Sequence, residues 1–137
     1  MAIRIVRLGS PRVPGEGLRI GTVRRPPRGV PKREFASRDY YDAWLPELAP
    51  SDALVKAGQS AATDRDWRAF ARGYRAEMAQ PAAARLLELL AALSRTTSLS
   101  VGCYCAADAR CHRSILKALL EEHGAVVEPA QRRSPAP

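Results

Sequence analysis

Between Asp64 and Tyr104 the hydrophobic spacing changes twice, and that change restricts the folds open to the chain. Trp67, Phe70, Ala71, Tyr74 and Met78 recur at helical intervals. They predict an amphipathic helix over Asp64 to Ala79, capped by Thr63, with Asp64 and Asp66 in its first turn. Pro81 suits the first turn of another helix, running to about Leu93. Leu86, Leu87, Leu89, Leu90 and Leu93 nearly encircle that helix, so it is expected to be well buried. Ser98 to Tyr104 then reads as a strand, and Asp108 to His123 as a last helix ended by Gly124.

The first half is punctuated differently. Ala2 to Leu8 alternates Ile3 and Ile5 with Arg4 and Arg7, the pattern of a strand. Gly9 to Gly17 is a loop, and Leu18 to Arg24 a second strand. The prolines between Arg25 and Arg33 lack donors and fix φ, which keeps that segment out of sheet and helix. Pro46 argues against a helix through Tyr40 to Leu48 and favours a short strand at Tyr41 to Leu45. Ser51 caps a helix from Asp52 to about Ala57, stopped by Gly58. Strands separated by helices predict a single small α/β domain, with a sheet of roughly four strands and helices packed around it. Residues 1–125 form this domain, and 126–137 read as a flexible tail.

Composition sets the outer limits. A chain of 137 residues with 46% hydrophobic and 26% charged residues is ordinary for a globular domain. No apolar run approaches a membrane span, and Met1 to Leu8 lacks the apolar region of a signal peptide. Cys103, Cys105 and Cys111 are an odd, clustered set, a poor disulfide framework. Together these place the protein in the cytoplasm. The net charge of +8 is uneven: residues 1–38 hold ten Lys/Arg against two Glu, and the remainder balances. Such asymmetry points to an anionic partner, a small molecule or nucleic acid; the bland alternative is a solvated basic surface.

Several stretches, in order, resemble one family. They are Gly17 with Arg19; Arg24 with Pro27, Arg28, Gly29, Val30 and Lys32; and Trp44, Leu45, Leu48, Ala49, Pro50 and Ser51. Trp67, Phe70, Tyr74 and Glu77 follow, then Cys103 with Cys111, His112 and Arg113. From Ile3 to Gly124 the chain resembles the YeaO-like family, domain of unknown function 488, which brings no established reaction with it. Many relatives read Asp-Arg-x-Trp-Pro-Arg-Gly where this chain has Val23, Arg24, Arg25, Pro26, Pro27, Arg28 and Gly29, so the acidic residue and the Trp are missing.

Two clusters carry the chemistry. At the last helix, Asp108 is the expected N-cap and Cys111 the third helical position. There the dipole, Arg110 and Arg113 should lower the thiol pKa. Three readings compete. The turn binds a phosphate or carboxylate through backbone donors and Arg113. Cys111 is a nucleophile or redox thiol, assisted by His112 or Cys103. Or Cys103, Cys105, Cys111 and His112 hold zinc. Zinc is the weakest, because adjacent helical residues diverge by about 100°, and no metal or cofactor is expected. His112 and Cys103 also fit plain core roles.

The second cluster is Arg24, Arg25, Arg28, Lys32 and Arg33 around a proline-stiffened turn, suited to phosphate. The favoured reading is recognition of a phosphate-bearing ligand, nucleotide or nucleic acid by Arg24, Arg28, Lys32, Asp108 and Arg113. The alternatives are a thiol-dependent enzyme using Cys111, with Arg113 orienting an anionic substrate, and a protein-interaction module. Neither substrate nor oligomeric state is legible.

Overall fold

The computed structural model describes residues 1–105 and 111–128. Four strands, β1 (Ile3–Arg7), β2 (Leu18–Gly21), β3 (Ala43–Trp44) and β4 (Leu99–Cys103), form one sheet in the order β1-β4-β2-β3, with every pairing parallel. The helices are α1 (Asp52–Gln59), α2 (Asp64–Met78), α3 (Pro81–Leu93) and α4 (His112–Glu122). The fold is therefore the expected small α/β domain. Among the described residues no helix is long and apolar enough to cross a membrane.

β4 lies between β1 and β2 and is buried along its whole length. The main core gathers Ile3, Ile20, Leu99 and Val101 from the sheet with Phe70, Tyr74, Leu87, Leu116 and Leu120 from the helices. Ser51 and Thr63 cap α1 and α2 by accepting from Leu54 N and Asp66 N. Tyr74 donates its hydroxyl to Leu48 O at 2.6 Å, tying α2 to the turn before α1.

Three expectations shift. Pro46 ends β3 and opens a 3-10 turn over Pro46–Leu48, so the short strand is confined to two residues. α3 buries Ala83, Leu87, Leu90 and Ala91 but leaves Leu89 53% and Leu93 37% exposed, because α2 and α4 cover only one side of it. Residues 126–128, grouped with the tail on composition, run beside β1: Ile3 N donates to Val126 O, and Arg4 pairs with Glu128 at 2.7 Å. The rest of that tail, 129–137, lies outside the described residues.

The least expected feature is Arg19, 0% exposed in β2. Its Nε donates to Glu16 Oε1 at 2.7 Å and its Nη1 to the carbonyls of Ser10 and Asp39. Glu16 also accepts from Ser100 Oγ and Val13 N. Gly17, at φ 80, makes this possible, since a Cβ there would sit 1.9 Å from Ser98 O.

Burial alone would raise the Glu16 pKa, but the bonds from Arg19, Ser100 and Val13 outweigh it and hold the carboxyl below its usual value of 4.5. A depressed carboxyl contributes stability that is full above the unfolded value and lost as pH falls through the folded one. Unfolding free energy from urea titrations should therefore decline below pH 4.5. Glu16→Ala should cost about 3–5 kcal/mol at pH 7 by stranding a buried guanidinium, and should flatten that acid limb.

Candidate functional site

The carboxyl ends of the parallel strands converge on a second, smaller core of Leu8, Val23, Tyr41, Cys103 and Cys111, bordered by Val6, Phe35, Tyr40 and Tyr104. Cys103 is the last residue of the central strand. Cys111 enters from the amino end of α4, and the two sulfurs stand 2.9 Å apart. Tyr41 reaches this core because Gly21 has no side chain: a Cβ there would lie 2.7 Å from the tyrosine ring. The Tyr41 hydroxyl is buried and has no hydrogen-bond partner among the described residues.

The helix start differs from the expected one. Cys111 is not inside the helix but at its N-cap, with extended torsions of φ −128 and ψ 149, and its side chain makes no cap bond. α4 begins at His112. Asp108, the expected cap, and Arg110 lie outside the described residues.

His112 is buried and neutral. Burial lowers its pKa, partly opposed by its bond to Thr22. Nε2 sits 2.8 Å from Thr22 O, which can only accept, so Nε2 carries the proton. Nδ1 is then the lone-pair nitrogen, 3.8 Å from Cys111 Sγ. The Tyr74 ring packs edge-on to the imidazole at 5.5 Å, fixing its plane. Among the described residues, Cys103 Sγ, Cys111 Sγ and a His112 ring nitrogen form a buried set lying within 4.8 Å of one another. The divergence expected of adjacent helical residues does not arise, because Cys111 precedes the helix.

The thiol chemistry is also redistributed. The bond to Cys103 lowers the Cys111 pKa, but the bond to Cys105 and burial outweigh it, so Cys111 is raised rather than lowered. Cys103 is raised as well, by its bonds to Cys105 and Cys111 and by burial. Exposed Cys105 is pulled well down, first by the bonds from Cys103 and Cys111, with His112 and Arg113 adding to the effect. The three sulfurs therefore titrate as one coupled group, in which negative charge is favoured at exposed Cys105 over the two buried thiols. Cys111 is buried with its pKa raised, so its expected lowering is not found; Cys105, weighed from sequence only as a zinc ligand, is the exposed thiol and the one whose pKa is lowered.

Arg113 is 2% exposed, donates from Nη2 to Cys105 O at 2.7 Å, and its charge favours the thiolate forms of Cys103 and Cys105. The arginine-rich segment leaves β2 at this same end. Thr22 O meets His112, and Tyr104 donates its hydroxyl to Arg25 O at 2.9 Å. Arg24 is half-buried and bonds Pro50 O and Ala49 O, a structural task. Arg28 and Lys32 are exposed on the same segment, whereas Cys111 and Arg113 are buried.

Much of the basic excess is answered internally, by Arg4 with Glu128, Arg12 with Asp42 and Asp39, Arg19 with Glu16, and Arg25 with Asp52. A cavity of about 260 Å³, lined by Met1, Arg4, Glu16, Ser98 and Glu128 among others, lies at the opposite, amino end of the sheet.

The DUF488-N3a family model, described as the active DUF488-N3 subclade, matches residues 3–124. No curated protein and no solved structure matches.

Under reducing conditions at pH 7, iodoacetamide should label Cys105 first, with Cys103 and Cys111 labelled only in denaturant. Peptide mass spectrometry reads the order. Early labelling of Cys111 in the folded protein would contradict the burial described above.

Proposed function

The chain belongs to the DUF488 family, and we propose that it binds an anionic, phosphate-bearing ligand, a nucleotide or nucleic acid, at the carboxyl end of its sheet. The observation that carries this reading is the contact between Thr22 O and His112 Nε2. It ties the root of the basic segment to the start of α4, so residues about ninety apart in sequence share one end of the sheet. Crevices outside the carboxyl ends of parallel strands are the usual ligand positions in open α/β sheets.

Two further observations support it. Arg28 and Lys32 are exposed on a proline-stiffened segment, where little conformational freedom is lost on engaging a phosphate. The buried Tyr41 hydroxyl, in the small core at this end of the sheet, lacks a partner among the described residues, which costs about 1–3 kcal/mol unless something supplies one. Arg24 holds the segment to Ala49 and Pro50 and positions it, and Arg113 supplies charge behind the cysteine cluster.

Binding of pyrophosphate, ATP and a short single-stranded RNA, followed by calorimetry at low and moderate salt, tests the proposal. Arg28→Ala and Arg113→Lys should each weaken the best of these roughly tenfold, the ~1.4 kcal/mol of a lost charge-assisted bond. Circular dichroism confirms that each variant is folded. Unaltered affinity in both folded variants, or no binding by the parent protein, would discard the reading.

A further inference from the structure

We propose that Cys103, Cys111 and His112 form a buried site for a soft transition-metal ion, with zinc the best match to their ligand chemistry. Two thiols and one imidazole select zinc or cuprous copper over calcium or magnesium, which take oxygen ligands. The three donors sit on rigid elements: the end of the central strand, the residue before α4, and the first residue of α4.

The imidazole is already set up as a ligand. Ligating histidines almost always donate their second N–H to a carbonyl or carboxylate, which fixes the tautomer and turns the other nitrogen's lone pair to the metal. His112 does this with Thr22 O, and its Nδ1 points at the sulfurs. Tyr74 packs against the ring and limits its rotation. None of the three donors needs a backbone change to point inward.

The spacing is close to what a tetrahedral zinc requires. Bonds of about 2.3 Å to sulfur and about 2.0–2.1 Å to nitrogen place tetrahedral ligands roughly 3.8 Å apart for sulfur–sulfur and roughly 3.5 Å for sulfur–nitrogen. Cys111 Sγ to His112 Nδ1 is 3.8 Å as it stands. The sulfurs, at 2.9 Å, would have to separate by about 0.9 Å to reach the tetrahedral spacing, a small side-chain rotation at each.

Charge and protons balance as well. A divalent ion displaces one proton from each buried thiol, and the two thiolates neutralise it with the imidazole neutral, leaving two protons in solvent. Cys105, exposed to solvent and two residues past Cys103, marks the route of entry, and solvent can supply the fourth ligand. Arg113 anchors the loop after Cys103 by donating to Cys105 O at 2.7 Å.

The reduced protein, loaded with zinc and dialysed against a weak chelator, should retain one equivalent by elemental analysis. Cobalt in its place should give tetrahedral visible bands and thiolate-to-cobalt charge transfer. Cys103→Ser, Cys111→Ser and His112→Ala should each weaken zinc binding by more than about 100-fold, beyond what losing an outer partner costs. Cys105→Ser should keep its one equivalent. The cobalt spectrum of the unaltered protein decides the matter even if a variant fails to fold. No retained zinc, cobalt bands without charge transfer, or binding lost only in Cys105→Ser would overturn the proposal.

Discussion

A guanidinium with no solvent contact holds the first third of this protein together. Arg19 collects Glu16, the Ser10 carbonyl and the Asp39 carbonyl around one side chain, and Glu16 passes the connection on to Ser100 in the central strand. Parallel strands normally need a long crossover, usually a helix, to return the chain to its starting edge. Here β1 reaches β2, and β2 reaches β3, through segments that contain no α-helix. Those segments have little ladder of their own, so their polar backbone groups need other partners. A charged fork that accepts nothing and donates in several directions at once supplies them. Burying an ion pair is a poor route to net stability, since desolvation offsets the attraction. Its effect here is to select one path for two loops, and the second of those loops carries the basic segment to the cysteine end of the sheet.

That role explains why the charge pattern was only half informative. Ten basic residues in the first 38 suggest a surface built for an anion. The fold turns several of them inward or sideways: Arg19 as a hub, Arg12 against Asp42, Arg4 against Glu128, and Arg24 against two carbonyls. A linear sequence records charge but not its partner, and nothing marks Arg19 as buried except a glutamate three residues earlier. The exposed remainder, Arg28 and Lys32 among it, is a smaller patch than the count implies.

Helical periodicity was the most dependable signal, because it reflects packing on one face. α2 and α3 lie within a residue of where spacing and capping put them, and β4 within a residue at each end. Periodicity fails where the number of neighbours decides burial. α3 has leucines nearly all round, yet the small sheet and two adjoining helices have only one side to offer it, so Leu89 and Leu93 meet solvent. No reading of α3 alone could show how much of its circumference the rest of the chain would cover.

The helix start shows how one residue's backbone can reverse a chemical argument. Asp108 is a good cap by type, and counting from it puts Cys111 inside the first turn. A helical Cys111 would feel the dipole, become acidic, and point away from His112. With Cys111 at φ −128 and ψ 149 the chain is still extended there, and all three consequences change together. The sulfur drops into the apolar strand-end core, where the bond from Cys103 lowers its pKa but the bond to Cys105 and burial outweigh it and raise it. Negative charge is favoured instead at exposed Cys105. His112 becomes the first helical residue, free to anchor one nitrogen on Thr22 and turn the other toward the sulfurs. Thiol reactivity at Cys111 and metal ligation by Cys111 with His112 thus draw on opposite backbone conformations of the same residue, and the extended one favours ligation.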